Sequence, residues 1–327
     1  MATNLIPATD PVVRRVRAYF APVNRVSGQA TLFDAAGIAG FAVDAPPAPW
    51  MDLGWCSKFA RKSGTKVEAL IAGAPGTVIG QAKTEIGAQV SLEFASWGKL
   101  QMALTAGSQQ MNVLAVQSGA AANGSGGAAV AAVPVATGSS ATNLVVGTAA
   151  AAFAVGQVVV VDVDYAGQQG FVGSGVSGGY VKNPAAIGSD VDYVRRISLN
   201  VARVVSIANG VLTLASALLA GTPTAGMQVS PVAGFCDREG GSFFQEWSAL
   251  FVLDGAQGDR IVFHYPRLQA TSGATESFNE VVGLQAKTTF ERVKLAGSFR
   301  ALAVKDANDG EMVVCFRSYL AAGNSSL

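Results

Sequence analysis

The stretch that decides the fold is FFQEWSALFVLDGAQGDRIVFHYPRLQ, residues Phe243–Gln269. Two apolar, aromatic-rich runs, Phe243–Leu253 and Arg260–Tyr265, flank the segment DGAQGD. Runs of this length and composition predict strands, and the short glycine-bearing segment between them predicts a β-hairpin. Because proline cannot donate a hydrogen bond to a neighbouring strand, Pro266 is predicted to end the second strand or to lie at a sheet edge.

Further strands are predicted on both sides of this hairpin. Val90–Phe94 alternates apolar and polar residues, which is the pattern of a half-buried strand. Downstream, strands are predicted at Val281–Val293, Phe299–Val304 and Glu311–Phe316, the last of them after the turn DANDG. Many short strands in succession favour an antiparallel sandwich or barrel.

One helix is predicted, at Ser96–Gly107 (SWGKLQMALTAG). Ser96 is a suitable N-cap, and Gly107 can end the helix in the left-handed conformation. The predicted fold class is therefore all-β: a mainly antiparallel sandwich or barrel core with one short flanking helix, plus an inserted small β domain. Four apolar residues of the helix fall on one face: Trp97, Leu100, Ala103 and Leu104.

Charged residues are unevenly distributed along the chain. Only 14% of the 327 residues are charged, and no Asp, Glu, Lys or Arg occurs between Lys99 and Asp162. Small residues dominate 111–141 and bury too little area to form a core, so this stretch is predicted to be a low-complexity linker.

Strand patterns resume downstream, where Asn209-Gly210 predicts a tight hairpin turn. We predict a discontinuous β core at 1–110 and 235–327, interrupted by an inserted β domain at 142–233.

Membrane insertion is not predicted, although half of the residues are hydrophobic. The longest apolar run, Leu144–Val161, is close to the minimum length for crossing a bilayer. It is rich in Ala and Gly, Gln157 interrupts it, and Asp162 follows it without a basic anchor. The N-terminus also lacks the continuous apolar core of a secretory signal. We therefore predict no membrane span and synthesis in the cytoplasm.

No catalytic constellation is recognisable in the sequence. His264 is the only histidine, and its place in a predicted strand favours a structural side chain on the polar face over a catalytic one. Glycines 173, 175 and 178 match a dinucleotide-binding pattern, but a proline-containing loop follows them where a helix is required. We predict that the protein is not an enzyme and binds no cofactor; a hydrolase that uses scattered carboxylates is the remaining catalytic alternative.

Metal ligands are also sparse. Cys56, Cys236 and Cys315 are widely spaced, which predicts buried thiols in a reducing compartment and not a zinc site. Asp162 and Asp164 would share one strand face, but Ca²⁺ requires more oxygen ligands than these two side chains supply. Solvated strand-end carboxylates are favoured, and no metal is predicted.

Basic residues cluster in two segments that precede Val90. The first is Met1–Ser27, predicted to be an extended arm that also includes Arg25, and the second is Cys56–Ile86, predicted to be a long, mobile hairpin or loop. These clusters are either solvated positive faces or contacts to neighbouring subunits of complementary charge. The net charge of +1 excludes a globally basic nucleic-acid binder. The candidate contact residues are Arg14, Arg15, Arg17, Lys58, Arg61, Lys62 and Lys66.

In the order of these features, the sequence resembles the tail tube (major tail) proteins of tailed bacteriophages. The features are the arm, the long hairpin, the strand Val90–Phe94 followed by SWGKLQMALTAG, an insertion, and then FFQEWSALFVLDGAQGDRIVFHYPRLQ with the closing strands. The resemblance covers roughly residues 1–110 and 235–327. It implies a β-sandwich or barrel flanked by a helix, in hexameric rings that stack into a hollow tube.

The resemblance also implies partners and a location. These are further copies of the chain, other tail proteins and double-stranded DNA that passes transiently through the lumen during ejection, in a virion tail assembled after synthesis in the bacterial host. In such tubes the long loop and the N-terminal arm bridge successive rings, which assigns that role to Cys56–Ile86 and Met1–Ser27. We expect the basic clusters to face these contacts, because a continuous positive lumen would retain DNA. The insertion at 142–233 departs from the minimal pattern and is predicted to decorate the exterior.

Two alternatives of other classes remain at this stage. One is another virion or surface-layer structural protein, such as a capsid or decoration protein. The other is a carbohydrate-binding adhesin of two β modules, with Trp50, Trp55 or Tyr165 as stacking platforms.

Overall fold

The computed structural model describes residues 13–24, 27–107, 109–115, 130–162, 199–238, 245–271, 275–282 and 290–321. These residues are mostly antiparallel strand, which confirms the predicted all-β class. The chain divides into two compact units. The first contains the described residues of Met1–Val23, Gln29–Gly107 and Gln245–Leu327, and the second contains those of Asn24–Gly28 and Ser108–Phe244.

The described strands are numbered in chain order, with one α-helix, α1 (Lys99–Ala106), and two 3-10 helices at Ala35–Gly40 and Gly147–Ala152. The strands are β1 (Val13–Pro22), β2 (Met51–Ser63), β3 (Lys66–Ala72), β4 (Thr77–Glu85), β5 (Ala88–Phe94), β6 (Gln109–Leu114), β7 (Val133–Pro134), β8 (Asn143–Val145), β9 (Val158–Asp162), β10 (Val201–Ala208), β11 (Val211–Leu214), β12 (Gln228–Arg238), β13 (Trp247–Gly255), β14 (Arg260–Ala270), β15 (Thr275–Val282), β16 (Phe290–Ala301), β17 (Val304–Lys305), β18 (Met312–Val313) and β19 (Phe316–Leu320).

The first unit is built on a closed β-barrel. Eight of its strands form one sheet in the order β15–β16–β5–β2–β1–β13–β14–β19. β16 also pairs with β14, where Leu268 lies opposite Ala301 and Ala270 lies opposite Phe299, so the six strands from β16 to β14 close on themselves. β15 and β19 extend the sheet beside β16 and β14. Closure pairs the strands that would otherwise be sheet edges.

Aromatic side chains fill the barrel. Phe20, Phe251 and Phe299 are fully buried, and the ring centroid of Phe20 lies 5.8 Å from each of the other two. Because β1 and β16 are not neighbours in the sheet, the contact between Phe20 and Phe299 crosses the barrel interior. Burial of such large rings is the main apolar contribution to the stability of this unit.

Residues 29–50, called the β1–β2 connection below, cover the outer face of the barrel beside β1. Strand alternation turns Tyr19 and Ala21 to this face, away from Phe20. Phe41 and Trp50 of the connection pack there in one buried cluster with Tyr19, Leu250 and Val252. The Tyr19 hydroxyl also donates a hydrogen bond to the carbonyl of Val43, at 3.0 Å.

The β13–β14 hairpin confirms the prediction made from Phe243–Tyr265, but the prediction that Pro266 ends the strand or marks an edge is wrong. β14 continues to Ala270: opposite β13, it pairs with β19 over Arg260–His264 and with β16 over Leu268–Ala270. The pairing with β13 shifts register between Trp247 and Ala249, and Ser248 at this bulge donates its hydroxyl to the Pro266 carbonyl at 2.7 Å. Proline is tolerated here because the strand ladder is already interrupted.

Of the other predicted strands, one is confirmed and the remaining ones have different end points in the structure. β5 confirms the strand at Val90–Phe94, and its alternate residues are buried. β16 is a single strand, Phe290–Ala301, where the end of one predicted strand and the start of another were placed. The segment predicted as Glu311–Phe316 contains β18 and the first residue of β19.

Helix α1 begins later than predicted and ends as predicted. It starts at Lys99 with Gly98 at the N-cap, while the Ser96 hydroxyl accepts a hydrogen bond from the Gln101 side chain at 3.1 Å, so the prediction of Ser96 as N-cap is wrong. Gly107 has a φ of 60° and ends the helix in the left-handed conformation. Trp97 precedes the helix and is exposed, which removes it from the predicted apolar face.

The second unit is a small β structure with its own apolar core. Its sheet runs β6–β12–β9–β10–β11–β8, with β7 also paired to β12. Asn209 and Gly210 have φ angles of 50° and 76°, which confirms the hairpin turn predicted between β10 and β11. The core contains Leu144, Val159, Val204, Leu212 and Val229, together with eight further buried residues.

The observed bounds of this unit are wider than those predicted for the insertion. β6 and β7 pair with β12, so parts of the predicted 111–141 linker belong to the sheet, while residues 116–129 lie outside the described ranges. The chain leaves the first unit after Gly107 and returns at Gln245, whose backbone N–H donates to the Gly107 carbonyl at 3.3 Å.

Candidate functional site

The seven predicted contact residues lie on three strands of the first unit. Arg14, Arg15 and Arg17 are on β1, the next three are on β2, and Lys66 begins β3. β1 lies between β2 and β13 in the closed barrel, so the prediction of an extended arm is wrong for residues 13–22. Residues 1–12 and Arg25 lie outside the described ranges.

Arg17 is held by two carboxylates of the first unit. Its Nε and Nη2 atoms donate to the two oxygens of Asp52 at 3.1 and 2.5 Å, and Nη1 donates to Asp44 at 2.6 Å. The hydrogen bonds to Asp52 raise the pKa of Arg17 further above its usual value. Because its side chain is only 13% exposed, Arg17 joins β1 to β2 and to the β1–β2 connection, and little of it is available to a partner.

Arg15 lies at an open, mixed-charge cleft of ≈ 390 Å³. It donates to Asp254 at 3.2 Å, and its guanidinium carbon lies 3.8 Å from the ring centroid of Trp55. Arg260 donates to the other oxygen of Asp254, also at 3.2 Å. Arg17 also lines this cleft, and Arg14, which lines a separate cleft with Asp254 and Arg260, donates to the Ala256 carbonyl at 3.1 Å.

Arg61 is engaged within its own chain. Its Nε atom donates to the Tyr265 hydroxyl at 2.9 Å, and the guanidinium lies 5.3 Å from the ring centroid of Phe263. Burial raises the pKa of Tyr265 to about 12, so this phenol stays neutral and can accept from Arg61. Lys62, its neighbour on β2, is exposed and lines a cleft with Gln89.

Lys58 and Lys66 form exposed ion pairs. Lys58 donates to Glu93 at 2.5 Å, and Lys66 lies 2.6 Å from Glu85. Arg300 also donates to Glu85, at 3.2 Å, and the hydrogen bond from Lys66 lowers the pKa of Glu85. Both lysine side chains are 71% exposed, so these pairs add little to stability and leave the ammonium groups accessible.

β3 and β4 form an exposed hairpin, which confirms that part of the prediction for Cys56–Ile86, while Cys56–Ser63 belongs to barrel strand β2. The hairpin is anchored where the backbone N–H of Gly64 donates to the Gly87 carbonyl at 2.7 Å. Its outer part is apolar: Leu70, Ile71, Val78 and Ile79 are 50–69% exposed. These four residues are called the apolar tip below.

The apolar tip was not among the predicted contacts. The predicted contacts in Cys56–Ile86 are its lysines and its arginine, although Leu70-Ile71 and Val78-Ile79 flank the turn GAPG of the same segment. This pattern was the available signal, because β-branched residues on both sides of a turn, in a hairpin too short to have a core, leave apolar side chains uncovered. Exposed apolar patches mark interaction surfaces.

His264 is buried, so the prediction of a polar-face histidine is wrong. Its side chain lies among Phe33, Trp50 and Phe316, and the residue is 2% exposed. Burial lowers the pKa of His264 to about 4. Its polar contact is with the Thr31 carbonyl, at 3.3 Å.

The remaining chemical candidates form no assembled site within the described ranges. There, no group of three His, Cys, Asp or Glu residues could hold a metal ion. Cys56 and Cys315 are free and partly buried, and burial raises the pKa of Cys56 to about 12. The glycine pattern at 173–178, Asp164, Tyr165 and the side chains of Asp162 and Cys236 lie outside the part of the chain that is described.

No helix among the described residues combines the length and the hydropathy that a membrane span requires. In comparisons with known proteins, no protein-family model and no curated sequence matches this chain.

Proposed function

We propose that this chain is a structural subunit of a bacteriophage tail tube, which assembles into stacked hexameric rings and forms a conduit for double-stranded DNA. The observation that carries the proposal is the β3–β4 hairpin, whose apolar tip is uncovered in the isolated chain. A soluble protein that exposes four adjacent large apolar side chains on a thin hairpin requires a partner surface to cover them. A second copy of the chain in the next ring supplies that surface.

The anchoring of the hairpin supports this role. β3 follows β2 and β4 precedes β5, so both ends of the hairpin continue into paired strands of the barrel. The hydrogen bond from Gly64 to Gly87 closes its base, where the exposed ion pairs of Glu85 also lie. A hairpin fixed in this way presents the apolar tip with less loss of conformational entropy on association than a free loop would.

Only some of the basic residues that the sequence offers as contacts are assigned to ring contacts here. Arg17 and Arg61 are engaged in their own subunit, whereas Lys58, Lys62 and Lys66 are exposed and can contribute to ring contacts. A conduit has no need to recognise a DNA sequence, and a continuous positive lining of the lumen would retain the DNA. The proposal therefore assigns most of the assembly free energy to apolar contacts and the orientation of subunits to charge.

The test is electron microscopy of the purified full-length chain and of two hairpin variants. Ile79→Asp places a charge in the apolar tip, and Thr84→Asp places the same charge on an exposed polar position of the same strand. We expect tubes or six-fold rings from the wild type and from T84D, and dispersed subunits from I79D with an unchanged melting temperature. Closed shells, or a wild type that stays monomeric at every concentration, would contradict the proposal.

A further inference from the structure

His264, on barrel strand β14, is surrounded by aromatic side chains where the β1–β2 connection packs on the barrel. This cluster is called the aromatic box below. The His264 ring stacks on Phe316 with centroids 5.8 Å apart, and Phe33 and Trp50 approach it edge-on at 6.2 and 6.1 Å. Phe33 and Trp50 belong to the connection, while Phe316 belongs to β19. The imidazole therefore joins the connection to the barrel.

The hydrogen bonding fixes which ring nitrogen carries the proton. The Thr31 carbonyl can only accept, so Nε2 of His264 must carry the hydrogen in the 3.3 Å contact between them. Nδ1 is then the unprotonated nitrogen, and it is buried without a hydrogen-bond partner among the described residues. A second proton would bind at Nδ1 and create a buried cationic N–H with no acceptor.

The described charged residues near the box do not compensate such a charge. Burial lowers the pKa of His264, the hydrogen bond to the Thr31 carbonyl opposes this shift, and no carboxylate contributes to it. The charged side chains on the packed elements have other partners or are exposed: Asp34 accepts from the Ala36 N–H, Asp44 pairs with Arg17, Asp254 pairs with Arg15 and Arg260, Arg267 pairs with Glu246, and Arg317 is exposed.

Thr31 also fixes the connection on its other side. The Thr31 N–H donates to the Ser248 hydroxyl at 2.8 Å, and that hydroxyl donates to the Pro266 carbonyl at the β13–β14 bulge. The backbone of Thr31 is thus held by the side chain of Ser248 on β13 and by that of His264 on β14. Displacing Thr31 from His264 would break both contacts together.

We propose that His264 is an acid-sensitive latch, and that protonation of its Nδ1 atom releases the β1–β2 connection from the outer face of the barrel. The proton comes from solvent, and no other bond is made or broken. The exposed state provides water to solvate the imidazolium and uncovers the apolar residues Tyr19, Leu250 and Val252. Release is local, because the aromatic interior around Phe20 and Phe251 is on the opposite side of the sheet.

The direction of the effect follows from the two protonation equilibria. Burial lowers the histidine pKa to about 4, whereas a released side chain returns to about 6.5. At pH values between these two pKa values, His264 binds a proton in the released state but not in the closed state. Release of the connection therefore becomes more favourable as pH falls. Over the whole interval the opening equilibrium shifts by about 300-fold.

Amide hydrogen exchange of the full chain tests the latch. Exchange of residues 29–50 is compared at pH 7 and pH 5 in the wild type and in His264→Phe, which keeps an aromatic ring but cannot take a proton. We expect the wild type to lose at least tenfold in protection relative to H264F at pH 5, while β13 stays protected in both. Equal protection in the two proteins, or simultaneous loss across the barrel, would overturn the proposal.

A second measurement does not depend on the variant. His264 is the only histidine, so carbon-13 labelling of histidine gives one imidazole signal. We expect its titration midpoint to lie below 6.5 and to coincide with the loss of protection at 29–50. Titration as an exposed imidazole, with residues 29–50 still protected, would also overturn the latch.

Discussion

Arg17 donates hydrogen bonds to Asp52 on the adjacent strand and to Asp44 on the β1–β2 connection, so a single guanidinium holds three parts of the chain. His264 joins the same connection to β14 through an aromatic box. At the residue scale, Arg17 and His264, which the sequence offered as a contact and as chemistry, instead support the architecture. Their partners are distant in sequence, which explains why residue patterns did not reveal them.

Replacing Arg17 by alanine is expected to lower the free energy of unfolding by about 2–3 kcal/mol, because a largely buried, bidentate pair is lost and Asp52 keeps its charge. Arg14→Ala is the matched control, since Arg14 is exposed and contacts one carbonyl, and its cost should stay within about 0.5 kcal/mol. Urea denaturation measures both. Equal effects of the two variants would contradict the assigned role of Arg17.

The stability of the whole chain should also depend on pH through His264. Its folded-state pKa is about 4, below the unfolded value of about 6.5, so the unfolded state takes up the proton first. The associated stability is present above pH 6.5 and is lost as pH falls toward 4, amounting to about 3 kcal/mol. The difference in unfolding free energy between the wild type and H264F, measured from pH 7 to 4, should change by this amount; a constant difference would refute the expectation.

At the element scale, local patterns predicted most of the structure well. Alternation predicted β5, Asn209-Gly210 predicted the β10–β11 turn, and Gly107 marked the end of α1, because each depends on neighbouring residues only. Pro266 was misplaced because a bulge on the partner strand, which local sequence does not show, makes room for it. The sequence predicts an arm at the arginine-rich β1 because the carboxylates that neutralise its arginines lie 27 to 239 residues away.

Gly210 provides a test at the scale of one turn. Its φ of 76° favours glycine, and a Cβ atom there would lie 2.8 Å from the Gly147 Cα. Gly210→Ala should therefore cost about 3 kcal/mol, combining backbone strain with a clash against main chain. Gly138→Ala is the control, because Gly138 has a φ of 88° in open space and should lose only about 1 kcal/mol. Thermal unfolding distinguishes them, and indistinguishable melting temperatures would count against the close approach of the two loops.

At the scale of the whole molecule, the surfaces available for association differ in chemistry. Several described basic residues, among them Arg17 and Lys66, form ion pairs within the chain, whereas the apolar tip of the β3–β4 hairpin is uncovered. The sequence signal for all-β structure was strong because it is repeated in many strands. The closure of the barrel was not predictable, since it depends on the long-range pairing of β14 with β16.

The relative contributions of the apolar tip and of the exposed lysines to association can be separated by varying the salt concentration. If the apolar tip supplies most of the association free energy, the proposed tubes should persist between 0.15 and 1 M NaCl, because salt screens charge pairs and does not weaken apolar contacts. Sedimentation with microscopy of the pellet measures the assembled fraction. Dissociation of the tubes at 1 M NaCl would assign association to the exposed lysines instead.

The hydrogen bond between Gly107 and Gln245 marks a point at which one domain could be exchanged for another during evolution. The two ends of the second unit leave and rejoin the first at adjacent backbone positions, 3.3 Å apart from N to O. Replacing residues 108–244 by a short Gly-Ser linker should leave the barrel folded, with its thermal transition retained in circular dichroism. Any module with adjacent termini could occupy the same junction, which makes this position a natural point for recombination and a suitable place to display a foreign domain.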